Sequence, residues 1–446
     1  MSPFKHRFVA LLVGLLFVVV AWIKMIHEAD LQPFFIDEVS DTFAAFNFIE
    51  HGDYTSHFFD GGERFGPGLS VGFMSSWPGG LVWSLGGGLF ESRLALGFVG
   101  WVEAMALGVT FFFWVSRLSL AWAFFASAFW FLMLLQTPYW HGFLLNVGEL
   151  TGALAVGAGL LAFGRGKWWL SGLFLGLAVW SCKFIYVPIA CVAVAAGTWR
   201  VFLHLQKPGS QGREAFSRWL GMVACFWVPL VAWLVVIACR YDGLQAELWL
   251  ARFVDFVVRG NSGLDGIRVH GLNERLASPM LEWAGYDSAT KLRILFLLSA
   301  GCLAGVWYFV RRRSVLVLGL LSALVFYSLW FFLWSPTMFL RHAQPALYLG
   351  FGLLAAVASI WVIENRNRRV LGIVALVIVL VTLKELRTMA TRFPVVADET
   401  SYARACTQSL TRVPCIPARD EIWLREIEAK SANSIYSAPP FRPRKR

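Results

Sequence analysis

The chain has 446 residues, of which 58% are hydrophobic and only 15% charged, and its formal net charge is +11. A soluble globular domain carries about 25% charged residues, so this composition argues against a soluble enzyme and indicates a polytopic membrane protein. The positive charge does not indicate nucleic-acid binding, because most basic residues stand in short loops between apolar segments, as the positive-inside rule predicts.

About eleven apolar segments are long enough, or nearly long enough, to cross a bilayer as helices. They are 8–26, 93–115, 119–135, 147–163, 168–182, 184–204, 219–239, 291–310, 314–334, 342–363 and 370–386. We therefore predict an all-α polytopic membrane protein with about eleven transmembrane helices. The first segment follows Lys5 and Arg7 and has no small-residue cleavage site after it, so we interpret it as an uncleaved anchor.

The basic residues also predict an orientation. If the N-terminus is cytoplasmic, every cytoplasmic loop is basic and almost free of acid. In a bacterial inner membrane, the loop 27–92, the loop 240–290 and the C-terminal tail then lie in the periplasm. We expect residues 1–390 to form one membrane module, with 240–290 as a lid loop, and 391–446 to form a short periplasmic tail.

The first periplasmic loop opens with FFIDEVSDTFAAFNFIEHGDY, residues 34–54. Its acids, with one nearby, are Asp37, Glu38, Asp41, Glu50, Asp53 and Asp60. An Asp at the centre of a membrane helix costs about 2.5–3.5 kcal/mol, so this group must lie at the membrane surface.

The same stretch predicts a helix lying along the interface, with amphipathic character. Its apolar residues recur at helical spacing: Val39, Phe43, Phe46 and Ile49. Asp37 could simply cap this helix, with Glu38 complementing its dipole. We interpret Glu50 and Asp53 as solvated residues at the helix end. The following Gly- and Trp-rich segment, which includes SVGFMSSWPGG, is expected to cover a cavity rather than face lipid.

Three other periplasmic edges of the predicted bundle carry polar residues. YWHGFLLNVGEL contains His141 and Glu149, WSCKF contains Lys183, and WSPTMFLRHAQP contains Arg341 and His342. Each has an ordinary interpretation, since Lys and Arg at helix ends extend to the interface. The first loop thus supplies acids and two other edges supply cations, all at the same level of the membrane. This arrangement suits an anionic substrate that is linked to lipid.

The tail contains Cys406 and Cys415 in a polar context. The periplasm is oxidising and permits a disulfide, so we predict that these two residues are paired. The alternative is two unpaired thiols.

These motifs resemble those of the GT-C glycosyltransferases. In that superfamily an acidic pair follows the first membrane helix, and an amphipathic helix and a Gly-Asp-Tyr-like turn come next, as in FIDEVSDTFAAFNFIEHGDY. The nearest groups are the protein O-mannosyltransferase-like family 39 and the lipid A aminoarabinose transferases. NVGELTGAL, LSGLFLGLAVWSCKF and FLRHAQPALYLG are similar to later elements in the same order, over roughly residues 1–390. The family's proline-rich stretch is replaced here by Gly-rich sequence, and a tail stands where some relatives have a large C-terminal domain.

The resemblance implies an enzyme that moves a sugar from a polyprenyl-phosphate donor to a hydroxyl of a periplasmic glycolipid, glycan or protein, with inversion. Asp37 would be the general base, and Glu38 would orient it or bind sugar hydroxyls. The implied substrate-binding residues are Tyr54, His141, Glu149, Lys183, Arg341 and His342. Of these, Lys183 and Arg341 would hold the phosphate.

Some alternatives remain open. Asp37, His57 and His141 could ligate a divalent metal, as in some relatives, but no strong ligand spacing is present, and no other cofactor is expected. A transporter or flippase for a lipid-linked or anionic solute would place charges near the middle of the spans. A membrane scaffold would explain the topology but not the ordered motifs. Membrane lipids are the expected surroundings in every case.

Overall fold

The computed structural model describes ten continuous stretches of the chain. They are 36–52, 54–56, 63–64, 72–87, 89–115, 120–135, 148–206, 211–240, 288–333 and 344–364. Separate helical residues are also described between 8 and 26, at 250 and 254, and between 373 and 387. All structural statements below concern these residues.

The described residues are almost entirely helical. The helices are α1 (Ile36–His51), α2 (Phe73–Ser84), α3 (Leu89–Val115), α4 (Leu120–Leu135), α5 (Glu149–Gly164), α6 (Trp168–Gly176), α7 (Val187–Leu205), α8 (Gln211–Arg240), α9 (Ser288–Arg312), α10 (Val315–Leu333) and α11 (Gln344–Glu364). A π-helix (Leu177–Cys182) and a 3₁₀ turn (Phe184–Tyr186) join α6 to α7. Two-residue strands, Thr55–Ser56 and Glu63–Arg64, pair antiparallel.

Each predicted apolar segment coincides with a helix or with described helical residues. Four helical stretches are long and apolar enough to cross a membrane: Glu91–Phe113, Phe184–Leu205, Gln211–Val236 and Gln344–Glu364. The apolar stretches Glu149–Gly164, Trp168–Cys182 and Val317–Phe331 are shorter. The prediction of an α-helical multi-pass membrane protein is confirmed.

The core of the bundle is built around α11. Tyr348, Leu349 and Phe351 of this helix are completely buried, and Gly352 lies against the ring of Phe111 in α3 with no room for a Cβ. The indole nitrogen of Trp130 in α4 donates to the Tyr348 carbonyl oxygen at 3.0 Å. These contacts fix α3, α4 and α11 relative to one another.

Helix α8 is the opposite case, because most of its apolar surface is exposed. It is attached to the bundle through a glycine seam, which we define as Gly172 and Gly176 of α6. A Cβ at either position would overlap the carbonyl oxygen of Met222 or Phe226 on α8. Small residues at spacing i, i+4 let two membrane helices approach closely, so these glycines set the distance between α6 and α8.

Helix α1 is the one predicted between the first and second spans, and α2 follows it in the Gly- and Trp-rich segment. Helix α1 packs on α2, and α2 packs on the N-terminal part of α3. Gly80 of α2 lies directly on the backbone at Ala45 and Phe46 of α1. The hydroxyl of Ser92 in α3 donates to the Gly79 carbonyl oxygen at 2.9 Å. The Gly-rich sequence of this segment is therefore explained by close helix packing.

The glycine seam gives a test of the fold. We expect Gly172→Ala to lower the free energy of unfolding by about 1–3 kcal/mol, the usual cost of overpacking a tight contact. Thermal unfolding in detergent measures this. Gly221→Ala on α8 is the matched control, because a Cβ there meets nothing within 4 Å, and it should not lower stability. Equal unfolding temperatures for the two variants would contradict the role of the seam.

Candidate functional site

The site begins where a membrane helix breaks. Helix α6 widens into the π-helix, and Lys183 then takes an extended conformation, with φ −153° and ψ 132°. Its N–H donates to the Ala178 carbonyl oxygen at 2.9 Å. Single-turn π-helices inside α-helices frequently mark functional sites, and this one projects a lysine where a continuous helix would have run on.

Two other segments meet this break. The Gly72 N–H, just before α2, donates to the Cys182 carbonyl oxygen at 2.6 Å. Gly148, just before α5, has φ +92°, and a Cβ there would lie 3.0 Å from the same carbonyl oxygen. Gly72, Gly148 and Cys182 therefore come together, although they are far apart in sequence.

Glu149 and Lys183 form an ion pair at this junction, with the ammonium of Lys183 donating to Glu149 Oε1. The side chain of Glu149 is 3% exposed and that of Lys183 11% exposed. Glu149 is the first residue of α5, so its charge also faces the positive end of that helix dipole. The two opposite charges are therefore buried together, and each neutralises the other.

Tyrosine side chains surround the pair. The hydroxyl of Tyr186 donates to the backbone oxygen of Glu149, and its ring lies where a side chain on Gly152 would be. Tyr327 of α10 and Tyr348 of α11, both fully buried, interact electrostatically with Glu149. The pair is thus enclosed by α5, the broken helix, α10 and α11.

Glu103 is a site residue that the sequence reasoning missed. It lies near the middle of α3, is half-buried, and accepts a hydrogen bond from Thr151 Oγ1 at 2.9 Å. Thr151 stands in the first turn of α5, two residues after Glu149. The sequence did contain an indication, because Glu103 is an acid inside an apolar span. Placing such a residue in a membrane costs free energy, and it usually marks a functional site.

Helix lengths explain why a mid-span acid reaches the site. The 16 residues of α5 measure about 24 Å at 1.5 Å per residue, against about 30 Å of hydrocarbon. The turn between α5 and α6 carries the exposed Arg165 and Lys167, which belong at a membrane surface. The other ends of both helices, with Glu149 and Lys183, therefore fall short of the opposite surface, and we call the place where these two residues meet the recess.

The first loop reaches this place through α2, which packs on the π-helix, and α1 packs in turn on α2. Helix α1 starts at Ile36, so Asp37 and Glu38 stand in its first turn; nothing is described of their side chains. Periodicity predicted burial of Phe43, and the structure confirms it. It did not predict that Asp41, 5% exposed, is buried as well, while Glu50 is exposed as expected.

Tyr54, a predicted substrate-binding residue, is packed in an aromatic cluster. Its ring contacts Phe48, Phe73 and Trp233 with centroids 5.4–5.8 Å apart, and it is 1% exposed. Its hydroxyl lies 3.1 Å from Ser76 Oγ, and burial raises the pKa of this phenol. A substrate-binding role stays a prediction and would require the hydroxyl to leave Ser76.

Several predicted site residues lie outside the described residues: His57, His141, Arg341, His342, Cys406 and Cys415. The proposed disulfide and the metal ligands therefore stay predictions. Within the described stretches, no group of three or more His, Cys, Asp or Glu side chains could hold a metal ion.

The buried ion pair can be tested by its stability. Removing one partner leaves an uncompensated charge, so Glu149→Gln or Lys183→Met should each cost about 3–5 kcal/mol of unfolding free energy. The double variant should cost less than the sum. The control is the exposed pair of Glu214 and Arg218 on α8, where Arg218→Ala should cost only about 0.3–0.5 kcal/mol. Additive costs at 149 and 183 would contradict the pairing.

No protein-family model matches the chain, and no curated protein matches it. Among solved structures it is similar to ArnT from Cupriavidus metallidurans bound to undecaprenyl phosphate, with TM-score 0.48 and 16% identity over 77% of this chain and 59% of that one. The apo state of that protein gives 0.46 and 18% over the same shares. The oligosaccharyltransferase from Archaeoglobus fulgidus, in complex with Zn and sulfate, gives 0.42 and 15% over 84% and 52%. ArnT is a GT-C lipid A aminoarabinose transferase; the similarity concerns the fold and does not extend to activity.

Proposed function

We propose that the chain is an integral membrane glycosyltransferase that moves a sugar from a polyprenyl-phosphate donor to an acceptor hydroxyl, with inversion. The observation that supports this most directly is the buried ion pair of Glu149 and Lys183 at the break in the membrane helix. A cation held at the end of a span suits a donor whose lipid stays in the bilayer and whose sugar reaches water.

The reaction needs a base and a cationic site for the leaving phosphate. Asp37 is our candidate for the base, because helical spacing puts it one turn before the buried Asp41, on the same side of α1. Lys183 offers an ammonium to the phosphate, and Arg341 would add a bidentate contact. Preorganised cations stabilise charge that develops on a leaving group.

We keep His141 and His342 as candidate substrate-binding residues, and Glu38 as a residue that orients Asp37 or binds sugar hydroxyls. Glu149 stands beside Lys183 and could contact the sugar as well. A metal held by Asp37, His57 and His141 is retained only as an alternative to direct base catalysis by Asp37.

Glu103 is the observation that favours a transporter, the second candidate, because it places a carboxylate at mid-span. Its hydrogen bond to Thr151 joins it to the recess rather than to a path through the bundle. The buried charged residues in the described part of the chain are Lys24, Asp41, Arg93 and Glu149. None of the four stands near the middle of a predicted span, which supports surface chemistry over transport.

We expect Asp37→Asn to lower turnover by about 10²–10⁴-fold, the usual contribution of a general base, with protein levels unchanged. Mass spectrometry of envelope lipids and glycoproteins from cells with and without the gene identifies the sugar and the acceptor. Complementation with each variant then measures turnover. Glu50→Gln, at the exposed far end of the same helix, is the control and should restore the product. Full activity of Asp37→Asn would eliminate Asp37 as the base, and an envelope unchanged by loss of the gene would favour the transporter.

We further expect Arg341→Ala to weaken binding of the lipid donor by roughly 10- to 100-fold, since a hydrogen bond to a charged group contributes about 1.5–3 kcal/mol. Arg240→Ala, at the end of α8, should change it much less. Titration of the purified protein with undecaprenyl phosphate compares the two, and equal losses would count against a phosphate contact by Arg341.

A further inference from the structure

The ion pair raises a question about charge at the proposed site. Lys183 is the cation that the proposed function assigns to the phosphate, yet its ammonium already binds Glu149. Their side chains are 11% and 3% exposed, so water can do little to solvate a charge that loses its partner.

We propose that the phosphate of the lipid displaces Glu149 from Lys183, and that Glu149 takes up one proton as it loses its partner. This inference rests on the proposed function, because it assumes that an anionic lipid phosphate reaches Lys183. The proton comes from solvent and ends on the Glu149 carboxyl group. Lys183 stays an ammonium throughout, and no covalent bond to carbon or phosphorus forms or breaks.

The physical reason is charge balance in a place of low dielectric. Without ligand the pair is neutral. With a fully ionised phosphate bound, Lys183 and the proposed Arg341 supply two positive charges against three negative ones, two on the phosphate and one on Glu149. A buried carboxylate without a partner is so costly that the group neutralises instead. Protonation lets Glu149 remain in place as a neutral hydrogen-bonding group.

Around Glu149 the described residues place three phenols, a thiol and a second carboxylate. Phenols face it from three elements: Tyr186 from the 3₁₀ turn, Tyr327 from α10 and Tyr348 from α11. On the side of α3, Thr151 donates a hydrogen bond to the carboxylate of Glu103. This carboxylate also interacts with the Cys182 thiol of the π-helix. Phenols, a thiol and a second carboxylate cannot compensate a negative charge.

The consequence is that phosphate binding weakens as pH rises. When one proton is bound with each ligand, affinity falls about tenfold per pH unit. Between pH 7.5 and 8.5 a phosphate monoester is already fully ionised, since its second pKa is about 6. Histidines, with an ordinary pKa of about 6.5, are neutral there. A slope in this window therefore reports on the protein's own carboxyl group.

The experiment is calorimetric titration of the full chain in lipid nanodiscs with undecaprenyl phosphate, in two buffers of different ionisation enthalpy. The wild type should take up about one proton per ligand and lose affinity from pH 7.5 to 8.5. Glu149→Gln should bind at least about tenfold tighter at pH 8.5. With Lys183→Arg added, whose guanidinium keeps its charge, binding should take up no proton and show no slope. Cys182 is present in all three proteins, so the difference isolates Glu149. Undecaprenol, which lacks the phosphate, should bind without proton uptake.

Two results would overturn the inference: wild-type binding without proton uptake, or a Glu149→Gln affinity no higher than that of the wild type. If Glu149→Gln does not fold, the proton count of the wild type decides alone. No wild-type binding of undecaprenyl phosphate at any pH would instead remove the proposed function, and the inference with it.

Discussion

A backbone that leaves helical geometry inside a bilayer must find its hydrogen-bond partners in protein, because lipid offers none. The break between Cys182 and Lys183 imposes this requirement, and much of the outer half of the molecule meets it. Gly72 supplies a donor to the Cys182 carbonyl oxygen, which draws the first loop down onto the bundle. Gly148 passes the same carbonyl group in a conformation that glycine adopts without strain. The recess and the buried pair thus follow from one interruption of one helix.

The same interruption explains why charge is tolerated there. A lysine in a regular membrane helix would face lipid or extend to its surface. Here the extended backbone turns Lys183 towards α5, where Glu149 begins a helix and the ring of Tyr186 closes the space over Gly152. A buried ion pair contributes little net stability, since desolvation offsets the attraction. Its retention at such a place therefore fits a chemical role better than a structural one.

The sequence predicted the helices well because membrane spans are long apolar runs, and their ends follow from composition. It also placed Glu149 and Lys183 at the same edge of the bundle, and the structure brings the two side chains together. It could not predict that they pair, because they are 34 positions apart and only the close packing of α5 on the broken helix brings them together. Glu103 was not predicted for a related reason. The sequence does not show that α5 is short enough for its first turn to lie beside an acid near the middle of α3. The burial of Asp41 depends on α2 and α3 covering α1, which periodicity within α1 does not reveal.

Helix α8 is longer than its neighbour α6, and this difference in length affects the surrounding bilayer. Its apolar stretch Gln211–Val236 has 26 residues, about 39 Å at 1.5 Å per residue, yet the glycine seam holds it against the much shorter α6. Two neighbours of such different length cannot both match a hydrocarbon layer of about 30 Å, so the bilayer must thin beside one or the other must tilt. Trp233 near its C-terminal end contacts Phe48 and Tyr54 of the first loop, so a change in the tilt of α8 acts directly on the packing of that loop. The acyl-chain length of the surrounding lipid thereby becomes part of the geometry of the site.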